Sequence, residues 1–348
     1  MNKCPGKIYT VPVVTAVLSI LFIFSACESP SEVSLSHFEE ESSYFEFVMK
    51  NNDFFTSEED ILNDPADEFV SDAASGSDGE VDFIEINRIA RRVHNIERSF
   101  SHEFVNDTLV IVTMTRSMDM RLWINGDVEN GTPYFSNNTA TIFKDFTETT
   151  TRKAKFLRVD NTNTAEDDWK LVEVSLLDGG TAERDFEIIQ MKLQFGEDHS
   201  FEYDDPLNTF MRIGLGKRDV PAVKLSQFDN SGFEIEVTIQ SSHEKPERLY
   251  ARHGGVGAGP DNMDGYMRRI DFPDKPESEE YSNGIYTRTY VIDRDQFFQG
   301  MHPAASMRGD HMRKGRFSTV VEVISHESLY DTEAPVHTSY WGVPFIIE

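Results

Sequence analysis

The feature that most constrains the fold of this chain is a period-two alternation of apolar and polar residues, which begins at residue 81. From 233 to 240, Phe, Ile, Val and Ile alternate strictly with Glu, Glu, Thr and Gln. Such alternation places the apolar side chains on one face of a β-strand. Related patterns cover 189–195, 248–252, 266–272, 285–292, 317–325 and 339–347. About seven short strands separated by turns predict a β-sandwich over residues 183–348.

Two antiparallel hairpins are predicted in residues 81–182. Their paired strands cover 97–105 with 108–115, and 152–159 with 169–177. The first pair is joined by Asn106-Asp107, residues that accept the positive φ angles of a tight turn. Residues 125–150 are rich in Asn, Gly and Thr, and this composition predicts a long loop between the hairpins.

Residues 27–80 are predicted to form an acidic tether that contains short helices. Residues 28–85 carry 18 acidic groups and one basic group, and repulsion between like charges favours an extended, solvated chain. Apolar residues at helical spacing predict a helix over 37–50, and a capping-box pattern predicts a second helix over 57–62. Residues 28–36 are expected to be disordered.

The order of these elements resembles a known fold family. Helices are followed by an antiparallel sheet whose last strand begins in the sequence Asp168-Trp169-Lys170-Leu171-Val172. Over residues 37–180 this order resembles the nuclear-transport-factor-2-like (NTF2-like) cone, which implies an α+β domain with a curved sheet. Residues 183–348 resemble the immunoglobulin-like modules of bacterial surface proteins. The expected fold class is therefore mainly β, although a plain α+β domain or sandwich fits the first segment equally well.

The N-terminal residues have the pattern of a secretory signal. Lys3 and Lys7 precede an apolar run over 11–24, which is too short to span a membrane comfortably. Phe24-Ser25-Ala26-Cys27 resembles a bacterial lipobox, with Phe24 at the position usually held by Leu. The resemblance implies that residues 1–26 are removed and that Cys27 is the lipid attachment site. An ordinary signal peptide cut nearby and an uncleaved anchor are the alternatives.

Cysteine usage and charge together exclude several classes of protein. The chain has two cysteines, Cys4 and Cys27, and a lipobox-processed form keeps no free thiol. A cysteine nucleophile, a cysteine-ligated zinc site and a disulfide scaffold are thereby excluded. The 33 basic and 61 acidic residues give a net charge of −28, which argues against nucleic acid as a partner.

Two groups of acidic residues are candidate calcium ligands, because calcium binds several carboxylate and carbonyl oxygens at once. One group lies in the loop 160–168 and contains Asp160, Asp167 and Asp168. The other contains Asp261 and Asp264. Neither group has the glycine and terminal glutamate of an EF-hand loop, and solvated acidic turns explain both equally simply. The expected cofactor is therefore none, with calcium as the alternative.

Three arginines form a candidate anion site. Arg88, Arg91 and Arg92 would share one face if residues 86–94 were helical. The alternative is that these arginines pair with the acidic residues of the N-terminal tether, in exposed ion pairs that are each weak. The sequence contains neither a serine-elbow motif nor His-Glu-x-x-His, so no catalytic residues are predicted.

The expected protein is a lipoprotein of the bacterial cell envelope, either periplasmic or surface-exposed. Its parts would be a signal peptide (1–26), an acidic tether (27–80), an α+β domain (81–182) and a β-sandwich domain (183–348). The leading functional hypothesis is a non-catalytic module that binds an envelope protein or a glycan, which predicts an exposed apolar or aromatic patch on the sandwich. The alternatives are an enzyme or small-ligand receptor that uses the concave side of the first sheet, and a structural spacer.

Overall fold

The computed structural model describes residues 32–52, 54–56, 83–128, 139–162, 164–195, 199–213, 222–223, 233–243, 245–255, 268–271, 284–292 and 315–347. The chain divides into two units, Met1–Tyr44 and Phe45–Glu348. One helix, Glu32–Asn51, contains residues of both units, and every other described element belongs to the second unit.

The described elements are mainly β-strands, which confirms the predicted fold class. In chain order they are α1 (Glu32–Asn51), β1 (Phe83–Asn106), β2 (Leu109–Val128), β3 (Thr139–Arg158), α2 (Ala165–Asp168), β4 (Trp169–Ser175), β5 (Leu177–Gly180), β6 (Phe186–Phe195), β7 (His199–Tyr203), β8 (Phe210–Arg212), β9 (Ala222–Val223), β10 (Phe233–Ser241), β11 (Arg248–Gly255), β12 (Arg268–Asp271), β13 (Ile285–Ile292), β14 (Gly315–Ile324), α3 (His326–Tyr330) and β15 (Thr338–Ile347). Among these helices none is both long and apolar enough to cross a membrane.

The N-terminal helix is longer than the sequence predicts. The pattern over 37–50 lies inside α1, which confirms that helix. Because α1 begins at Glu32, the predicted disorder of residues 28–36 is wrong from Glu32 onward. The second predicted helix, over 57–62, lies outside the described residues.

The strands form two sheets. The larger sheet has 11 strands along the order β1-β2-β3-β5-β15-β14-β11-β12, with β4, β8 and β9 attached beside this path. The smaller sheet has the order β13-β10-β6-β7. Neighbouring strands are antiparallel, except that the two-residue strand β9 runs parallel to β15.

The hairpin predicted around Asn106-Asp107 is confirmed. Strands β1 and β2 pair from Phe83↔Val128 to Asn106↔Leu109, and the Asn106 side-chain oxygen accepts a hydrogen bond from the Thr108 backbone N–H at 2.9 Å. Strand β2 continues past the predicted end at residue 115 to Val128. Four register shifts along β1 let so long a pair of strands bend and twist.

The loop predicted over 125–150 is wrong. Residues 125–128 end strand β2, and residues 139–150 begin strand β3, which pairs with β2 from Asp127↔Thr139 onward. In this part of β3, threonines on the outer face alternate with buried residues such as Ala140 and Ile142. Threonine is β-branched and fits a half-exposed strand as well as a loop, so composition alone was misleading.

The second predicted hairpin is confirmed, because β3 and β4 pair from Ala154↔Val174 to Arg158↔Trp169. Trp169 is fully buried at the start of β4. Its ring meets the edge of Phe45 at a centroid distance of 5.3 Å, and Phe45 also packs against Phe156. Phe45, Phe156 and Trp169 thus form one aromatic cluster.

The alternation over 233–240 is confirmed in β10, where Ile235, Val237 and Ile239 are completely buried. The alternation over 189–195 also predicts that Ile189 is buried with Met191, and this prediction is wrong. A register shift pairs Thr238 with Gln190 but Ile239 with Ile188, so the strand gains one residue at Ile189. The bulge shifts the alternation of buried and exposed residues in β6 by one position, so Ile188 is buried in place of Ile189.

The smaller sheet packs on one face of the larger sheet, as in a sandwich. The shared core combines residues of β6 and β10 with residues of β11, β14 and β15 that point to the same side. Its members are Leu176, Phe186, Ile188, Met191, Leu193, Phe195, Tyr203, Met211, Ile235, Val237, Ile239, Leu249, Ala251, Tyr286, Val321, Val323, Trp341, Val343 and Phe345. The opposite face of the larger sheet encloses separate apolar clusters around Leu122 and Met118.

The boundary predicted between residues 182 and 183 falls between β5 and β6. Strand β5 pairs with β3 on one side and with β15 on the other, so one sheet contains strands of both segments. A shared sheet does not decide whether either segment folds alone, which is what defines a domain. The division therefore stays a prediction.

Lys144 connects α3 and the segment that follows it to the larger sheet. Its buried ammonium group donates hydrogen bonds to the backbone oxygens of Ser328 at 2.9 Å, Asp331 at 2.5 Å and Ala334 at 2.8 Å. Burial lowers the pKa of Lys144 to about 8, against the opposing charges of Asp331 and Glu333. The ammonium group has three N–H bonds, so the three carbonyl oxygens satisfy it completely. These hydrogen bonds connect residues 328–334 to the sheet although they form no strand of it.

Candidate functional site

The described residues form an open cleft with a volume of about 680 Å³. It lies where the outer face of β3 and β5 meets the beginning of β6 and the end of β10. The residues that line it are Thr149, Thr151, Asp178, Gly179, Gly180, Thr181, Ala182, Arg184, Asp185, Phe186, Glu187 and Gln240. Hydroxyl, carboxyl, amide and guanidinium groups predominate in this lining, so the cleft suits a polar ligand.

Two glycines of β5 form the floor of the cleft. Gly180 has φ of 142°, a conformation that residues with a Cβ atom rarely adopt. A Cβ atom at Gly180 would also collide with the backbone oxygen of Thr338 and with the Arg184 guanidinium. Glycine therefore lets β5 lie close to β15 and lets Arg184 cross the floor, where its Nη1 donates to the Thr181 oxygen at 3.1 Å.

Asp178 is the most deeply placed carboxyl group of the cleft. Burial raises its pKa, whereas the charge of Arg184, the hydrogen bond from the Trp341 indole and the Gly179 backbone N–H act in the opposite direction. The nearby charge of Glu187 adds to the increase. Trp341 belongs to the core between the sheets, so a rigid residue holds the orientation of this carboxyl group.

A second group of polar residues lies beside the cleft, around His243. The ring Nδ1 lies 2.8 Å from Oε1 of Glu247, and Nε2 lies 2.7 Å from Oδ1 of Asp185. The buried Glu247 carboxylate also accepts short hydrogen bonds from the Ser241 hydroxyl and the Tyr286 hydroxyl. Asp185 is shared, because it lines the cleft and also binds His243.

The group contains serine, histidine and a carboxylate, but its geometry differs from that of a catalytic triad. A triad requires the serine hydroxyl to donate to the histidine, which then removes its proton. Here the Ser241 hydroxyl donates to Glu247, and both ring nitrogens of His243 face carboxylates. His243 is therefore not placed to remove the proton of Ser241.

The charges around His243 predict a pH-dependent stability. Burial of the ring lowers its pKa, but the hydrogen bond to Glu247 and the charges of Asp185, Glu247 and Glu327 together raise it above the ordinary 6.5. The folded state thus binds this proton more tightly than the unfolded state. The resulting stabilisation is complete below pH 6.5 and is lost as the pH rises through the raised pKa.

We therefore expect the free energy of unfolding of the wild-type protein to fall between about pH 6 and pH 8 relative to a His243→Gln variant. Urea titrations at several pH values, followed by circular dichroism, measure this difference. His94→Gln is the control, because His94 is exposed on β1. A constant difference between wild type and His243→Gln across this range would contradict the prediction.

The predicted arginine cluster is not on a helix, because residues 86–94 belong to strand β1. Arg88 and Arg92 are exposed, whereas Arg91 is completely buried. Arg91 forms ion pairs with Glu148 on β3, at 3.0 Å, and with Glu322 on β14. The anions bound by Arg91 are thus carboxylates of the chain itself, but they lie on β3 and β14 and not in the acidic tether that the alternative named.

The Arg91 ion pairs also define the shape of the larger sheet. Strands β1 and β14 are five positions apart in the sheet order, which corresponds to about 24 Å in a flat sheet. A direct contact between Arg91 and Glu322 therefore requires strong curvature. The concave side thus formed is filled by side chains of the described residues. Those under 2 % exposed include Arg91, Arg116, Arg152, Arg252, Met118 and Tyr340.

The candidate calcium residues have different locations. Asp160 and Asp167 are exposed, and Asp168 is buried. The Oδ1 atom of Asp168 accepts hydrogen bonds from the backbone N–H of Thr162 at 2.5 Å and from its hydroxyl at 2.8 Å, so this carboxylate organises the loop. In the described part of the chain, no three His, Cys, Asp or Glu side chains are grouped to hold a metal ion. Asp261, Asp264 and Cys27 lie outside the described residues.

Sequence reasoning missed the residues of the cleft. Asp178, Arg184 and Asp185 lie at the end of a predicted strand and in the turn that follows, where charged residues are common. One sequence feature could have indicated the cleft: the pair Gly179-Gly180 follows a strand pattern directly. Glycine within a strand often marks a position where another backbone or a ligand approaches closely.

Comparisons with known protein families and with curated proteins found no match for this chain.

Proposed function

We propose that this protein is a lipid-anchored, non-catalytic binding protein of the bacterial cell envelope, and that its cleft holds a polar glycan. The observation that carries the proposal is the open cleft of about 680 Å³, with Asp178 oriented at its floor by Trp341. Carboxylate and guanidinium groups each offer two parallel hydrogen bonds, which suits neighbouring hydroxyl groups of a sugar.

The chemistry of the cleft suits binding, because hydroxyl, carboxyl, amide and guanidinium groups line it. The neighbouring His243 group holds Ser241 in an unproductive orientation. An enzyme or a receptor that uses the concave side of the larger sheet is less well supported, because buried side chains fill that side.

The exposed apolar surface gives weaker support to an envelope protein as the partner. In the described part of residues 183–348, the large exposed apolar side chains are Ile285 and Val291, which are 42 % and 53 % exposed on the edge strand β13. Two separate aliphatic residues do not form the aromatic or apolar patch expected for a protein partner. The NTF2-like character of residues 37–180 and the immunoglobulin-like character of residues 183–348 belong to the same proposal.

The glycan site is tested by co-sedimentation of the detergent-solubilised full chain with purified peptidoglycan sacculi, and by calorimetry with soluble envelope oligosaccharides. Asp178→Asn and Arg184→Gln are each expected to weaken binding about tenfold, the effect of one lost hydrogen bond to a charged group. Glu202→Gln is the matched control, because Glu202 is exposed on β7 away from the cleft lining. Equal binding by all variants would exclude the cleft, and no binding by the wild type to either probe would favour the structural spacer.

The lipid anchor is tested separately through Cys27. We expect the wild-type protein to partition into the detergent phase of Triton X-114, and its mature N-terminal peptide to carry acyl chains by mass spectrometry. Cys27→Ala is expected to abolish both properties, whereas Cys4→Ala, in the predicted signal peptide, preserves them. An unmodified Cys27 in the mature protein would show that the lipobox resemblance is misleading.

A further inference from the structure

We propose that His243 is a proton-dependent clamp on the wall of the cleft: the protonated ring holds Asp185, and loss of one proton releases Asp185 and the segment 181–185. The consequence for ligand binding rests on the proposed function of the cleft. The clamp itself follows from the geometry of the His243 group and is testable without a ligand.

The geometry around His243 is that of a doubly protonated ring. Nδ1 is 2.8 Å from a carboxylate oxygen of Glu247, and Nε2 is 2.7 Å from a carboxylate oxygen of Asp185. Ionised carboxylates accept hydrogen bonds and cannot donate them, so a ring that is protonated on both nitrogens satisfies both contacts. The imidazolium thus bridges a buried residue and a residue of the cleft wall.

The two carboxylates that contact the His243 ring are not held with equal rigidity. Both oxygens of Glu247 receive further donors, the Ser241 hydroxyl on Oε1 and the Tyr286 hydroxyl on Oε2, and its side chain is completely buried. The Asp185 side chain is 54 % exposed and free to exchange His243 for water. The proton that leaves first is therefore the one on Nε2, which faces Asp185.

Loss of this proton changes the wall of the cleft. Nε2 then carries a lone pair that faces the Asp185 carboxylate, and two acceptors at 2.7 Å repel each other. The hydrogen bonds that remain between Asp185 and Ser242 are long: the Ser242 backbone N–H donates to the Asp185 oxygen at 3.2 Å, and the Ser242 hydroxyl lies 3.4 Å from that oxygen and 3.4 Å from Oδ2. We expect the Asp185 side chain to turn toward the solvent of the cleft, where it adds an unpaired negative charge near Asp178 and Glu187.

The charged groups that face His243 from neighbouring elements favour its protonated form. Glu327 on α3 lies 3.8 Å from Nδ1, and Asp185 and Glu247 contact the ring directly. The nearby cations Lys245 and Arg248 lower the pKa of a different histidine, His326. Phe186 packs beside the ring at 5.7 Å, and Glu244 lies outside the described residues. The raised pKa of His243 agrees with this surplus of carboxylates.

The clamp is tested in the full chain by two measurements across about pH 5.5 to pH 8.5. Carbon–proton correlation spectra of the histidine rings follow the titration of His243. Hydrogen exchange detected by mass spectrometry, corrected for intrinsic rates, follows residues 181–187. We expect exchange in this segment to increase through the same midpoint at which His243 titrates, and that midpoint to lie above 6.5.

Asp185→Asn separates the clamp from a merely structural role of His243, because Asp185 is largely exposed and its replacement leaves the core intact. This variant should lower the His243 midpoint by about one pH unit, the usual effect of an adjacent opposite charge. It should also remove the pH dependence of exchange in 181–187, because the Asn amide accepts from a protonated Nε2 and donates to an unprotonated one. His94→Gln should change neither result. An unchanged midpoint in Asp185→Asn, or wild-type exchange with no pH dependence, would overturn the clamp.

Failure of the clamp and failure of the proposed function are distinguishable. If sacculi and oligosaccharides do not bind but the midpoint and the exchange shift together, the clamp stands and the glycan site does not. If Asp178→Asn weakens glycan binding but hydrogen exchange in 181–187 does not depend on pH, the glycan site is supported and the clamp is wrong.

Discussion

Replacement of Glu322 by Gln is expected to lower the free energy of unfolding by about 3–5 kcal/mol, the usual cost of removing one partner of a buried ion pair. The Glu322 carboxylate is completely buried between Arg91 and Arg252, and its second oxygen lies 2.9 Å from Nη2 of Arg252. A neutral amide leaves two buried guanidinium groups with insufficient negative charge. Urea denaturation followed by circular dichroism measures the change.

The matched control is Asp145→Asn. Asp145 also pairs with an arginine, Arg121, through contacts of 2.6 and 2.8 Å, but its side chain is 60 % exposed. Solvent screens an exposed pair, so we expect a loss of less than about 1 kcal/mol. Equal losses for Glu322→Gln and Asp145→Asn would show that burial of the Glu322 network does not determine its contribution.

Trp169→Ala is expected to destabilise the protein by about 3–5 kcal/mol, because it removes a large buried side chain and leaves a cavity. The Trp169 ring touches the edge of Phe45, and the Arg158 guanidinium lies over it at 4.5 Å. Trp169→Phe should recover part of the loss, since a smaller ring still fills part of the cavity.

The control for Trp169 is Trp123→Ala. Trp123 is 8 % exposed and belongs to a cluster that contains one other buried residue, Ala90. Fewer packing contacts are lost there, and the space that is left lies near the surface, where it is open to collapse or hydration. We therefore expect a clearly smaller change at Trp123, and a larger loss at Trp123 than at Trp169 would contradict the assignment of the aromatic cluster.

Local alternation predicted most of the described strands. The strand predicted over 285–292 is β13 itself, and the pattern over 233–240 predicts the buried face of β10 correctly. These predictions succeed because the side chains of a strand alternate between its two faces whatever its neighbours are.

The failures have a common physical origin in long-range contacts. Ile189 is displaced by a bulge that only the pairing of β6 with β10 reveals, and residues 139–150 become a strand because β2 lies beside them. Arg91 is buried because the curvature of the sheet brings Glu148 and Glu322 to it. None of these partners is adjacent in sequence, so no local pattern records them.

The sequence by itself determined that the chain is rich in β-strands and where many of them lie, and that no cysteine remains to cross-link the segments from residue 28 onward. The tertiary structure alone decided that strands from 81–182 and 183–348 share one sheet, and that Asp178, Arg184 and Asp185 meet at a cleft. The reason is that alternation is a property of consecutive residues. Sheet curvature and strand order depend instead on which distant segments exclude water together.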